Sequence, residues 1–167
     1  IIKIINQYES FNEPSKEIDN KITKLTGIDN ETVKNKCIDW ELIDLILKNT
    51  DIIVAHNAKF DRAFVDRYSS ISPFKIWGCT INDIDWFEKG FSSQKQELLC
   101  YWHGFYFEAH RAMNDVNALI QLLIHPYYGK NRPIVELIKN ARQIRFKIFW
   151  SLHYLTIFII YRLTLLI

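Results

Sequence analysis

His110 and Asp115 stand five positions apart in the sequence EAHRAMND (108–115), ahead of an apolar stretch, and Asp61 follows a short apolar run in the sequence VAHNAKFD. Carboxylate oxygens are the protein ligands that Mg²⁺ prefers. A histidine that titrates near neutral pH can take a proton from water. These residue types indicate half of a metal-dependent site for cleaving phosphodiester bonds, with His110 beside one of the two aspartates.

Both aspartates are predicted to lie on apolar helix faces. Val65 lies four residues after Asp61, and Leu119 four residues after Asp115, so each pair shares a face. A buried carboxylate is costly unless it is paired or binds a metal. The alternative is that each aspartate caps a helix or forms an ion pair at its start, and that His110 is a surface or capping imidazole.

Strands alternating with helices predict an α/β fold with a parallel core. The strand DIIVAHN (51–57) and the helix AKFDRAFVDRY (58–68) would place His56 and Asn57 at the carboxyl end of a strand, where sites form in open sheets. Strands are also predicted in IIKIINQYESF and in FKIWGCTIND. Between them, short helical turns are predicted, the last starting near Asp29 or Asn30, and then a helix at 39–49 capped by Asp39. Later helices are predicted from about Gln94 to His103, in HRAMNDVNALIQLLI to about Ile124, and in PIVELIKNARQ.

Two sequences, IVAHNAKFD and HRAMND, resemble the second and third motifs of the DnaQ-like exonucleases of the DEDDh type. These are 3′→5′ exonucleases with an RNase H-like fold, among them the proofreading ε subunit of bacterial DNA polymerase III. Similarity to the segments between the motifs extends the resemblance over residues 1 to about 143. It implies an exonuclease domain in residues 1–143 and a distinct tail in residues 144–167.

The resemblance also implies roles for individual residues. His110 would be the general base, Asp115 a metal ligand, and Asp61 a support for the metal pair. His56, Asn57 and Phe60 would line the path of the terminal nucleotide. The implied cofactors are two Mg²⁺ or Mn²⁺ ions. The implied partners are a DNA polymerase and the 3′ end of a single strand, for which DNA is favoured over RNA although the family includes enzymes that act on either.

The first motif of that family, D-x-E on the first strand, is absent. We therefore expect an RNase H-like fold without its first two strands and an impaired site, unless a separately encoded N-terminal fragment supplies them. The missing strand would leave the backbone of DIIVAHN unpaired along one edge.

The tail is unusually apolar from Ile148 to Ile167, interrupted by Arg162. Three interpretations stand: translation out of frame in an AT-rich gene, a helix-like segment associated with a membrane, or a segment packed on the domain. The stretch ahead of Arg162 is shorter than the roughly 20 apolar residues that span a bilayer.

Composition limits the function classes. A chain of 167 residues with a net charge of +2 predicts one domain that does not wrap duplex DNA. Its three cysteines form no C-x-x-C pair, and no signal peptide pattern is present, so we expect reduced thiols and a cytoplasmic protein. Besides an exonuclease, a non-catalytic remnant and a nucleic-acid-binding or membrane-attached module, with His56, Phe60 and Trp102 contacting bases, remain as hypotheses.

Overall fold

The sheet is built around a run of apolar, mostly β-branched residues. In the computed structural model, which describes residues 3–143 and 157–159, strand β1 (Ile52–Ala55) is buried at all four positions. It pairs in parallel with β2 (Ile76–Cys79) on one side and with β3 (Ile157–Ile159) on the other. Strands buried on both faces carry continuous apolar sequences, which is what β1 shows.

Successive side chains of β1 point to opposite faces of the sheet, and each face is covered by helices. Ile52 and Val54 pack in the larger core with Leu99, Leu119 and Leu137 of three later helices. Ile53 lies on the other face, in a cluster with side chains from the helices on either side of β1. The described chain is therefore a three-layer α/β arrangement.

Seven α-helices and two 3₁₀-helices accompany the three strands in the described part of the chain. The α-helices are α1 (Asn20–Thr26), α2 (Asn30–Val33), α3 (Trp40–Lys48), α4 (Ala58–Tyr68), α5 (Gln96–Trp102), α6 (Ala112–Leu123) and α7 (Pro133–Gln143), and the 3₁₀-helices are Ser72–Phe74 and Pro126–Tyr128.

The predicted starts of α2, α3, α4 and α5 are confirmed to within two residues. The first three of these helices follow a capping aspartate or the end of a strand. Asp39 caps α3 by accepting from the backbone N–H of Leu42 at 2.9 Å, and Asp29 caps α2. The predicted helix at 58–68 matches α4, and the helix predicted from about Gln94 begins at Gln96.

The prediction of a strand in IIKIINQYESF is wrong for residues 3–11, which have no regular structure; residues 1 and 2 lie outside the described residues. Ile4 and Ile5 are both exposed. A strand is stabilised by neighbours that satisfy its backbone groups, and β1 is paired on its two sides by β2 and β3 instead.

The tail differs from its predicted form at the three residues that are described. Ile157–Ile159 form a strand, not a helix, and the register pairs Ile52 with Ile157. The edge of β1 that was expected to be unpaired is therefore covered, because an apolar segment of the same chain satisfies its backbone groups. At these residues the tail packs on the domain. Residues 144–156 and 160–167 lie outside the described residues, and no helix of the described chain is long and apolar enough to cross a membrane.

Candidate functional site

The turn from β1 into α4 positions the first group of candidate residues. His56 follows β1 and is buried, and its Nδ1 lies 2.7 Å from Oγ1 of Thr80, the residue that follows β2. The N–H of Thr80 donates to the carbonyl of Ala55 at 3.0 Å. These bonds join the carboxyl ends of the two parallel strands, so His56 is fixed at the edge of the sheet where α/β sites form.

Asp61 lies on the buried face of α4. It is the fourth residue of the helix and only 5% exposed, and Val65 on the next turn is buried beside it. The N-cap position belongs to Asn57, whose side chain makes no capping hydrogen bond. Phe60, by contrast, is 59% exposed, and Asn57 is also exposed. The α4 side of the site thus combines a buried carboxylate with an exposed aromatic ring and amide.

Asp115 repeats this placement on α6. It is the fourth residue of its helix and 1% exposed, and its N–H donates to the carbonyl of Arg111 at 2.9 Å. Arg111 occupies the N-cap position without a side-chain capping bond. His110, half-buried, comes directly before it.

The backbone of His110 has a φ of 68°, in the left-handed region that residues with a Cβ seldom adopt. Such conformations cost free energy and cluster at functional sites. His110 lies in the segment between α5 and α6, two residues before the first residue of α6. His110 therefore stands at the entrance to the helix that carries Asp115.

The negative charge of Asp115 contributes to a shift in the pKa of Cys100 on the neighbouring helix α5. Burial, followed by the negative charges of Glu97 and Asp115, raises the pKa of the Cys100 thiol to about 12. A thiol with that pKa stays protonated near neutral pH and is a poor nucleophile. Cys100 is therefore a core residue, and none of the three cysteines is in a disulfide.

Three residues that were not predicted hold these segments in place. Thr80 fixes His56, and the buried Gln96 donates from Nε2 to the backbone carbonyl of Asp115 at 2.7 Å. The guanidinium of Arg111 lies against Gly27, where an added Cβ would come within 2.6 Å of Nη2. Helical spacing could have found Gln96, because Leu99 and Cys100, three and four residues on, mark its buried face.

The D-x-E spacing itself occurs in two places that are unlike a first motif. Asp29 precedes Glu31, and Asp39 precedes Glu41, but both aspartates are N-caps of helices, not residues of a strand. Their side chains accept backbone N–H groups at the starts of α2 and α3. Neither pair supplies a carboxylate at the end of a strand.

Among residues 3–143 and 157–159, no group of three or more His, Cys, Asp and Glu side chains is arranged to hold a metal ion. The predicted ligands, Asp61 and Asp115, are both buried carboxylates. Mg²⁺ commonly keeps several waters and uses one or two protein carboxylates together with substrate phosphates. Asp61 and Asp115 supply the donor type that Mg²⁺ prefers, but the described residues show no assembled site for an ion.

Comparison with known proteins supplies the family. The RNase_T family, described as Exonuclease, matches residues 1–123. A DNA polymerase III PolC-type of Caldanaerobacter subterraneus subsp. tengcongensis is 27% identical over 128 residues, 73% of this chain and 9% of the relative. The PolC-type enzyme of Thermotoga maritima is 33% identical over 86 residues, 50% of this chain and 6% of the relative.

The chain thus spans less than a tenth of the length of these relatives. No solved structure gives a significant match. The family match covers both segments described above, the turn that leads to Asp61 and the start of α6 with His110 and Asp115. This chain belongs to the RNase_T exonuclease family and carries a DnaQ-like exonuclease domain.

Proposed function

We propose that this chain is a 3′→5′ exonuclease domain that hydrolyses phosphodiester bonds at the 3′ ends of single-stranded nucleic acid. The observation that carries the proposal is the pair of buried aspartates at the fourth position of α4 and α6, with His110 at φ 68° directly before the N-cap residue of α6. Membership of the exonuclease family supports it. We place the site in residues 1–143 and treat residues 144–167 as a tail.

Asp115 and Asp61 would hold the divalent ions, Mg²⁺ or Mn²⁺. Such ions, when bound as a pair, stabilise both the attacking and the leaving oxygen of a phosphodiester. His110 would accept a proton from the attacking water as a general base, a role that its position at the start of α6 allows. Burial of both aspartates excludes water from their carboxylates, which strengthens their attraction for a cation.

The terminal nucleotide would be held by the exposed part of the turn after β1. The ring of Phe60 offers a face on which a base can stack, and the exposed amide of Asn57 can donate and accept hydrogen bonds. His56, fixed by Thr80, would line the path beneath them.

Two carboxylates give few direct ligands, so we propose that metal affinity and cutting by this chain are weak. A separately supplied segment with a D-x-E strand would raise both. The named relatives are DNA polymerases, and we therefore propose DNA as the substrate, in preference to RNA, and a polymerase as a partner.

Substitution of His110 by alanine tests the proposal. We expect the chain to shorten a 5′-labelled oligonucleotide stepwise from its 3′ end with Mg²⁺ or Mn²⁺. His110→Ala should slow this by about 10²–10⁴-fold, the usual contribution of a general base. His125→Ala is the matched control, because His125 is also half-buried but lies at the end of α6, and it should retain activity.

Cutting that His110→Ala leaves unchanged would contradict the assignment of the base. If the chain binds single strands in a salt-dependent manner and releases no nucleotide with either metal, it is a nucleic-acid-binding module. A chain with neither activity is a non-catalytic remnant.

A further inference from the structure

Gln96 links two helices at the backbone of Asp115. It is the first residue of α5 and only 2% exposed. Its side-chain Nε2 donates to the carbonyl oxygen of Asp115, 2.7 Å away. Because only the nitrogen of the amide can donate to a carbonyl, this bond fixes the orientation of the glutamine side chain.

The environment of Gln96 is unfavourable for an amide. Its neighbour on the next turn, Leu99, is fully buried, as is Leu119 on the next turn of α6 after Asp115. Within the described part of the chain, Oε1 of Gln96 has no hydrogen-bond partner. A buried polar atom that is left unsatisfied lowers stability. An apolar side chain of the same shape would therefore serve the packing of α5 equally well or better.

The start of α6 lacks the usual restraint of a helix N-terminus. Its N-cap residue, Arg111, makes no side-chain capping hydrogen bond, and the preceding His110 has the left-handed backbone. Capping bonds normally fix the first turn of a helix. The bond from Gln96 reaches this first turn sideways, from another helix, at the residue whose carboxylate would hold the metal.

We infer that Gln96 is a positioning residue that holds the first turn of α6 and thereby the orientation of the Asp115 carboxylate. The inference deepens the proposed function and rests on it. Groups that hold a metal ligand in place control how well the metal binds, although they do not touch it. Gln96 acts on Asp115 through the main chain, whereas most such groups act on the ligating side chain.

Gln96→Met in the full chain tests the inference, since methionine has the same unbranched length and no donor. We expect Mn²⁺ affinity and kcat to fall by about 10–100-fold, the usual range for such partners, with KM for the oligonucleotide little changed. The midpoint of thermal unfolding should stay the same or rise, because the unsatisfied Oε1 is removed.

Asn140→Leu is the matched control. Asn140 also donates from its side-chain amide to a backbone carbonyl, that of Asp83 at 3.0 Å, but this bond joins α7 to the loop after β2. The control should keep the wild-type Mn²⁺ affinity and kcat. An equal loss of both in the two variants would show that any lost amide bond has this effect, and it would overturn the inference.

A readout independent of cutting is the ¹³C resonance of the Asp115 carboxyl group. Gln96→Met should shift or broaden it, while Asn140→Leu should leave it in place. An unchanged resonance together with unchanged Mn²⁺ affinity would overturn the positioning role. A wild-type chain that neither cuts nor binds Mn²⁺ would instead refute the proposed function, and the resonance would still decide whether Gln96 orients Asp115.

Discussion

Two pairs of aspartates near the starts of helices differ in their burial and in whether they cap the helix. Asp29 and Asp39 occupy the N-cap positions of α2 and α3, are exposed, and accept backbone N–H groups. Asp61 and Asp115 are each the fourth residue of a helix and are almost wholly buried. Their helices have Asn57 and Arg111 as N-caps, neither of which makes a side-chain capping bond.

The difference separates two physical reasons for placing an acid near a helix start. A capping aspartate satisfies an orphan backbone donor and stays in water, so its role is local. A buried aspartate has lost most of its hydration, which is costly. Capping accounts for Asp29 and Asp39, whereas Asp61 and Asp115 are not N-cap residues of their helices. Cation binding is the role that the proposed function gives them.

Activity should show the largest contrast between the two pairs. We expect Asp115→Asn to reduce exonuclease cutting by more than the roughly 10–100-fold typical of residues that only support a metal ligand. Asp39→Asn should leave cutting unchanged, because asparagine also caps helices well. The measurement is the initial rate of shortening of a 5′-labelled strand, with circular dichroism to show that both variants are folded.

Equal activity of these two variants would remove the distinction between the pairs. The same comparison can be made with Asp61→Asn against Asp29→Asn. If Asp61 acts on the metal through water, Asp61→Asn should reduce the rate of cutting less than Asp115→Asn does.

Stability should show the reverse contrast, with a smaller effect. Asp39→Ala removes the bond to the N–H of Leu42 and should lower the free energy of unfolding by about 1 kcal/mol. Asp115→Asn should leave it the same or raise it, because a neutral amide costs less to bury than a carboxylate. Urea denaturation of the two variants measures this. A large loss of stability in Asp115→Asn would mean that the carboxylate supports the fold.

Sequence patterns predicted those helices and strands that are determined by residues close together in the chain. The cap at Asp39, the apolar run of β1 and the helix that follows it were all recognisable from neighbouring residues. The candidate residues followed from the two motif-like sequences, and both aspartates are buried as their helical spacing predicted. Helix and strand preferences of this kind depend on a few adjacent positions.

Features that depend on distant residues were not predictable in the same way. The pairing of β3 with β1 joins segments about a hundred residues apart, and an apolar tail can form a helix or a strand according to what it packs against. The segment at residues 3–11 has the composition of a strand but no strand partner in the described chain. The bond from Gln96 to Asp115 likewise depends on how α5 and α6 meet.

The smallest expected effect is on the pH dependence of stability, and it concerns Asp83, which combines features of the two pairs of aspartates. Asp83 is buried, as Asp61 and Asp115 are, yet it accepts a backbone N–H, that of Cys79 at 2.7 Å, as a capping residue does. Burial outweighs this bond and raises the pKa of Asp83, whereas the bonds from Thr32 lower the pKa of the exposed Asp29. Carboxyl titrations followed by NMR should place these two groups on opposite sides of the ordinary pKa of aspartate.

The two shifts have opposite consequences for stability. Between the ordinary pKa and its raised folded value, Asp83 binds more protons in the folded state than in the unfolded state, so the free energy of unfolding falls as pH rises. Asp83→Asn keeps an acceptor for Cys79 and removes this penalty, so it should stabilise the protein at neutral pH and have little effect below the ordinary pKa. For Asp29, ionisation favours the folded state, and its contribution is lost as pH falls through the lowered folded value. Denaturation of Asp83→Asn and Asp29→Asn as a function of pH tests both signs, and a gain for Asp83→Asn that persists below the ordinary pKa would show that its charge is not the cause.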